Sequence, residues 1–145
     1  MAIQTWTNGY ILVNTVDLSN HGHSLMANFG QDTADATTFG DTHHKSRAAL
    51  GRRGINVTFF DDYAAGNVEA TLRAAILGSS DTGIVVTVRP ANAARTTTNP
   101  EYSATSIVDG DLQVVNIGAV GGLQDITANF VPYGAFTVVT SATST

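Results

Sequence analysis

Apolar and polar residues alternate with period two along much of this chain, and this pattern constrains the fold more than any other feature. Ile55, Val57 and Phe59 would lie on one face of a strand, with Asn56 and Thr58 on the other. Val, Ile and Thr, whose branched side chains fit a pleated sheet, account for 42 of the 145 residues. We therefore expect a mainly β protein, a β-sandwich or barrel, with strands over 10–16, 24–29, 55–60, 83–88, 103–108, 112–117, 125–130 and 135–140.

One segment has the period of a helix instead. Val68, Leu72 and Ile76 recur at four-residue spacing, Asn67 suits the N-cap, and Gly78 suits the C-terminal stop. The pattern predicts one α-helix on the flank of the sheet, at about residues 67–78, whose apolar face is core rather than a ligand site. No linker or repeat divides the chain, so residues 1–145 are expected to form a single domain.

The chain carries unusually little charge. Charged residues make up 13% of it and the formal net charge is −5, whereas a typical soluble domain has about 25% charged residues. An acidic chain with one lysine is a poor electrostatic partner for nucleic acid, and the absence of cysteine excludes thiolate chemistry. We expect neither a secretory signal nor a membrane span. So little charge favours a surface that is mostly covered by copies of the same chain.

Two close histidine pairs, His21 with His23 and His43 with His44, are candidates for a metal site. Neither pair has the i, i+4 spacing of a helical metal site, and no carboxylate stands at a familiar offset. We favour histidines at a surface or an interface, with metal binding as the alternative. No metal and no cofactor are expected.

Two further motifs have a structural interpretation beside a chemical one. Asp61 and Asp62 are a carboxylate pair, but adjacent strand residues point to opposite faces, so we expect them to end a strand and cap the turn into the helix. The run from Gly51 to Gly54 (GRRG) matches a G-x-x-G nucleic-acid clamp, although such a clamp joins two helices and this motif leads into a strand. Since no nucleophile motif is present either, an enzyme is not expected.

Residues 31–54 stand outside the strand pattern and are predicted to form a long loop. Four of the seven basic residues, Lys45, Arg47, Arg52 and Arg53, fall in this segment, and no acid occurs in residues 42–60. We expect the loop to meet an acidic patch on a neighbouring copy.

Six short motifs occur in order along the chain: VDLS at 16–19, DATTFGD at 35–41, VTFFDDY at 57–63, VTVRP at 86–90, NPEY at 99–102 and GAFT at 134–137. Their order resembles that of the major tail proteins (tail tube proteins) of long-tailed bacterial viruses. The resemblance extends from about residue 13 to residue 140.

The resemblance implies a structural protein that assembles in the host cytoplasm and resides in the virion tail. Such subunits form rings, usually of six, which stack into a tube with an inner β-barrel shared between subunits. A tape-measure protein fills the bore before viral DNA passes through without specific binding. Polar, weakly charged strand faces suit such a bore, because basic residues would hold phosphates. The expected lumen residues are Ser24, Asn28, Asn56, Thr58, Asp125, Thr127 and Asn129.

Contacts between subunits and between rings are expected from an N-terminal arm, residues 1–10, and from the loop at 31–54. Trp6, the only tryptophan, either anchors the N-terminal arm in a neighbour or packs on its own subunit. The candidate contact residues are Trp6, Phe39, His43, His44, Lys45, Arg47, Arg52 and Arg53.

Two other functions stay open. A viral head-decoration or head–tail connector protein would share this composition without forming a long tube. A small β-sandwich module that binds a ligand such as carbohydrate would present aromatic residues together on one strand face, whereas most aromatic residues of this chain fall at core positions or near turns.

Overall fold

The computed structural model describes residues 8–64, 66–78, 83–115, 120–133 and 136–141. The predicted mainly β fold with one helix is confirmed. Its elements in chain order are β1 (Tyr10–Val13), β2 (Val16–Asp17), β3 (Gly22–Asp35), β4 (Ser46–Phe60), α1 (Val68–Gly78), β5 (Ile84–Arg89), β6 (Glu101–Asp109), β7 (Asp125–Pro132) and β8 (Thr137–Val139).

The strands form one antiparallel sheet that folds over itself. Its order is β2-β1-β5-β6-β7-β4-β3, and β8 pairs with the first residues of β6. The ring of Phe29 on β3 lies 4.9 Å from that of Phe136, just before β8, and 5.8 Å from that of Tyr102 on β6, as centroid distances. These contacts bring the β3 edge across the sheet toward β6 and β8, so the inner faces enclose a common core.

The core follows the period-two pattern. Alternate residues of the central strands point inward and are at most 3% exposed, because burial of one face stabilises a strand whose other face is polar. The inward residues of β1, β4, β5 and β7 include Ile11, Val13, Ile55, Val57, Phe59, Val86, Val88, Ile126, Ala128 and Phe130.

The helix α1 covers one side of this core. It ends at Gly78, as predicted, and buries Val68, Leu72 and Ala75. Within the described ranges, no helix is long and apolar enough to cross a membrane.

Asp62 holds the start of α1, as the sequence predicted. Its Oδ1 accepts from the Ala64 N–H at 2.9 Å and its Oδ2 from the Asn67 side-chain amide at 2.7 Å, while its carbonyl oxygen accepts from the Glu69 N–H. His21 Nε2 lies 3.0 Å from the same carboxylate and ties the start of β3 to the helix. The hydrogen bond from the Ala64 N–H is the main cause that lowers the pKa of Asp62, and the hydrogen bond with His21 lowers it further.

Two predicted strands differ in the structure. The strand expected over 10–16 is broken at Asn14 and Thr15, whose positive φ angles of 47° and 70° make a tight turn between β1 and β2. No strand forms over residues 112–115, although Leu112 packs against the core. Alternation there reflects burial of one side of a segment that lacks a partner strand; residues 116 and 117 lie outside the described residues.

Candidate functional site

The outward sides of β3, β4 and β7 form one continuous polar surface. Ser24 pairs with Thr58, which pairs with Thr127, and Asn56 pairs with Asn129. Residues opposed in an antiparallel ladder share a sheet face with each other and with every second residue of their strands. The register therefore places all seven predicted lumen residues on one surface, called the polar face below: Ser24, Asn28, Asn56, Thr58, Asp125, Thr127 and Asn129.

The polar face is turned away from the core. In β4 and β7, the residues that alternate with those of the polar face are at most 1% exposed. The residues of the polar face are exposed or half-buried. The hydroxyl oxygens of Thr58 and Thr127 lie 3.2 Å apart and share a hydrogen bond across the strands. Met26, which pairs with Asn56, adds an apolar side chain to the same surface. This face offers hydrogen-bonding groups but little charge.

His23 adjoins the polar face, which the sequence did not indicate. The register of β3 shifts between Gly22 and Ser24, and such a bulge re-aims a side chain. His23 Nε2 lies 3.0 Å from Asp125 Oδ1, and its ring stacks on that of Phe60 at a centroid distance of 4.4 Å. The imidazole thus partners the one acid among the predicted lumen residues.

The prediction of a long loop over residues 31–54 is wrong. β3 and β4 continue through this segment as a two-stranded hairpin, and only residues 36–45 connect them. β7 pairs with β4 only over residues 55–60, so within the described residues the stretch 46–54 is paired with β3 alone. We call residues 31–54 the arm. Most of its residues are exposed, on both faces.

The tip of the arm, residues 36–45, is closed by its own side chains. Asp41 Oδ2 accepts from the N–H and the hydroxyl of Thr38 at 2.8 and 2.9 Å, and its Oδ1 forms an ion pair with Lys45. Asp35 Oδ1 accepts from the N–H and hydroxyl of Thr37. The bond from Lys45 lowers the pKa of Asp41, and the Thr37 hydroxyl lowers that of Asp35. These bonds give the tip a defined conformation.

Phe39 protrudes from this tip. Its side chain is fully exposed, with a relative accessibility of 110%, and Gly40 behind it adopts a φ of +98°. His43 and His44 lie exposed in the same connection. An aromatic side chain on a hydrogen-bonded turn can dock with a small loss of backbone entropy.

The adjacent residues Arg52 and Arg53 lie on opposite sides of β4. Arg52 pairs with Gly30 on the side of the polar face, and its Nε lies 2.8 Å from Asp32 Oδ1. Arg53 lies on the other side, with its guanidinium carbon 5.8 Å from the ring centroid of Phe29. The G-x-x-G motif is therefore part of a strand and does not have the loop geometry of a nucleic-acid clamp.

Charge is unevenly distributed along the long axis of the sheet. Within the arm, Lys45 and Arg52 each pair with an acid, whereas in the part of the chain that the structure describes no carboxylate pairs with Arg47 or Arg53. The last residues of β4 and β6 and the first residues of β7 lie at the end of the sheet opposite the arm. The acids in or directly after these strand ends are Asp61, Asp62, Asp109, Asp111 and Asp125. We call this set the acidic end.

The remaining candidates are a metal site and the N-terminal arm. Among the described residues, no three or more His, Asp or Glu side chains form a group that could hold a metal ion. Trp6 and most of the predicted N-terminal arm lie outside the described residues, whereas Tyr10 begins β1.

Comparisons with known proteins identify the fold. No family model and no curated protein sequence matches the chain. A chain from the virion of a native gene transfer agent particle aligns with a TM-score of 0.70 at 10% identity, over 94% of this chain and 99% of that one. A chain from the tail of an empty gene transfer agent particle, determined with C6 symmetry, aligns with a TM-score of 0.65 at 12% identity, over 95% and 99%. A chain from the six-fold symmetrised baseplate of the anti-feeding prophage aligns with a TM-score of 0.54 at 10% identity, over 97% and 96%. The chain therefore has a fold found in phage-like virions and tails.

Proposed function

We propose that this chain is the repeating structural subunit of a virion tail tube, which joins copies of itself into rings that stack into a hollow tube. The observation that carries the proposal is β3, a 14-residue strand at the edge of the sheet whose residues are exposed on both faces, except half-buried Gly30. A long open edge invites pairing, and proteins that live alone shorten, cover or charge such edges. In a ring, β3 pairs with a neighbouring copy.

The strands beside this edge supply the wall of the tube. β3, β4, β7 and β6 are consecutive in the sheet, and the first three carry the polar face. β6 pairs with β5 at residues 102–106, so within the described pairings only its last residues, 107–109, can meet a neighbouring β3. With the six-fold symmetry of the tail and baseplate structures that share the fold, these four strands per copy would close a barrel of 24 strands. Barrels of roughly 16–18 strands already leave an aqueous channel. The buried faces then pack on each subunit's core, and the polar face lines the lumen.

A polar lining with little charge suits the passage of DNA. Each basic side chain that reaches a phosphate adds affinity through released counterions and would slow transit. The polar face instead presents hydroxyls, amides and Asp125 beside His23. A tape-measure protein occupies this bore before viral DNA, which crosses it without specific binding.

The arm and the acidic end supply contacts between rings. They lie at opposite ends of the sheet and differ in charge, which favours a head-to-tail contact between copies. Phe39, His43, His44, Lys45, Arg47 and Arg53 are the contact residues of the arm, with Arg52 at its junction with the wall. The N-terminal arm, residues 1–10 with Trp6, is a second contact. Assembly takes place in the host cytoplasm.

Electron microscopy of the purified protein in negative stain tests the proposal. Stacked rings or tubes are expected. Single rings that never stack would favour a head-decoration or connector protein, and dispersed monomers would favour a ligand-binding module.

Two neighbouring proline variants test the role of the β3 edge. Successive residues of an antiparallel strand direct their N–H groups to opposite sides. Of Ala27→Pro and Asn28→Pro, one therefore removes a hydrogen bond to β4 and the other blocks only the free edge. The variant that keeps the wild-type thermal transition is expected to form no rings. If that folded variant assembles normally, β3 is not the subunit contact.

A further inference from the structure

Arg52 is a cation on the side of the sheet that the proposed function assigns to DNA. Thr58, Asn56, Gly54 and Arg52 follow one another at two-residue spacing on β4, with no register shift between them. Arg52 therefore shares a side with the polar face, about 13 Å along the strand from Asn56. This position conflicts with an uncharged wall.

The guanidinium of Arg52 is open to a passing ligand. Its side chain is 70% exposed, and Gly30 opposite it has no side chain to cover it. A guanidinium binds phosphate through parallel hydrogen bonds, so a ring of such groups would hold DNA.

Asp32 removes this conflict. Its Oδ1 lies 2.8 Å from Arg52 Nε, and Asp32 lies two residues along β3 from Gly30, the partner of Arg52, on the same side of the sheet. The register shifts beside this pair, where β4 has one more residue than β3 between the pairs Gln31–Gly51 and Thr33–Ala48. We propose that Asp32 masks the charge of Arg52, so that the arginine on the channel wall does not retain DNA, an inference that rests on the proposed tube function.

The pair acts through charge rather than through stability. An ion pair this exposed contributes little to folding. At separations beyond the screening length of about 8–10 Å, however, the joined charges act as a neutral group. The carboxylate also occupies donors that a phosphate would otherwise take.

The test compares wild type, Asp32→Asn, Arg52→Gln and the double variant. Binding of a short DNA duplex to the protein, in whatever assembly state it adopts, is measured against salt concentration by co-sedimentation or fluorescence anisotropy. Asp32→Asn should raise affinity about eightfold at 0.1 M salt for each Arg52 engaged, and steepen the slope of log K against log salt by about 0.9. The double variant should return to the wild-type affinity, and Arg52→Gln alone should not exceed it.

Asp17→Asn is the matched control. It also removes one exposed carboxylate, on β2 at the opposite edge of the sheet, and its amide oxygen can still accept from Ser19. The proposal is overturned if Asp32→Asn binds DNA no more tightly than wild type or Asp17→Asn. It is also overturned if the double variant stays as tight as Asp32→Asn. Microscopy of the same samples tests the proposed tube separately, since the affinity ratios do not depend on tube formation.

Discussion

Replacing Phe39 at the tip of the arm should weaken ring stacking without affecting the subunit fold. The side chain is fully exposed in the isolated chain, so nothing within the subunit depends on it. Burying it against a neighbour would contribute about 2 kcal/mol per contact. Phe39→Ser should therefore weaken each contact roughly thirtyfold. In a ring of six the losses combine to about 12 kcal/mol per junction if the contacts are independent.

Two measurements separate assembly from folding. Sedimentation over a concentration series gives the protein concentration above which tubes form, and this concentration should rise steeply for Phe39→Ser. Thermal unfolding of the unassembled subunit, followed by circular dichroism, should be unchanged. Phe39→Tyr keeps the apolar ring and should assemble close to wild type.

The reasoning is refuted if Phe39→Ser tubes form at the wild-type concentration while the subunit melts normally. It is also refuted if Phe39→Tyr and Phe39→Ser fail equally. The polar variant would then not act through lost apolar contact.

Three further predictions concern the subunit itself. The pKa of Asp41 is lowered by Lys45, so the ionised carboxylate stabilises the tip at pH values above its unfolded pKa of 3.8, and this contribution is lost as the pH falls through the lower folded value. The amide-exchange protection of residues 36–45, corrected for the pH dependence of the intrinsic exchange rate, should fall there. Asp41→Asn should reduce that change to the part that Asp35 contributes through Thr37. Leu72→Ala should lower the free energy of unfolding by about 2–5 kcal/mol in urea titrations because Leu72 is fully buried, whereas exposed Arg73→Ala should cost less than about 1 kcal/mol. Gly83→Ala should lower the free energy of unfolding by at least about 2 kcal/mol, and by more than Gly66→Ala does in the same assay. Both glycines have a positive φ, but of the two only Gly83 lies where an added Cβ would meet a backbone oxygen, at 2.7 Å.

The sequence predicted the polar face because the alternation has a single physical cause. A strand with one face in the core must place polar residues on the other, and an antiparallel register then aligns those residues across neighbouring strands. Asn56 and Thr58 could therefore be grouped with Asn129 and Thr127 before their pairing was known. The helix was predictable for the same reason, since Val68 and Leu72 mark one face at helical spacing.

The arm was misread as a loop because the rule that found the other strands does not apply there. Alternation requires one buried face, whereas residues 46–52 are exposed on both faces in the isolated chain, and Arg53 and Gly54 are only half-buried. A strand with both faces exposed in its own subunit carries no amphipathic signal in its sequence. The length of the segment also favoured a loop, because 24 residues are too many for a tight turn. Two long paired strands, however, need only a short connection between them.

His23 shows a second limit of the period-two rule. Counted back from Leu25, it falls in phase with the inward side, where a polar histidine is out of place. That mismatch was the available sign of a bulge, but only the register between β3 and β4 reveals the extra residue and its partner Asp125. Bulges depend on the pairing of two strands and are poorly encoded in either one.

The two halves of β4 differ in charge, and the difference shows where in the fold the chain lacks charged residues. From Ile55 to Phe60 the strand buries one face against the core and carries no charged residue, while from Ser46 to Gly54 it has no fully buried residue and carries three arginines. A general demand for solubility would put charge on any exposed strand face, including the polar face. Apart from the Arg52–Asp32 pair, charge is instead sparse where the sheet would line a channel and concentrated where it would reach another copy. The composition of β4 therefore changes at Gly54, where the strand stops pairing with β7.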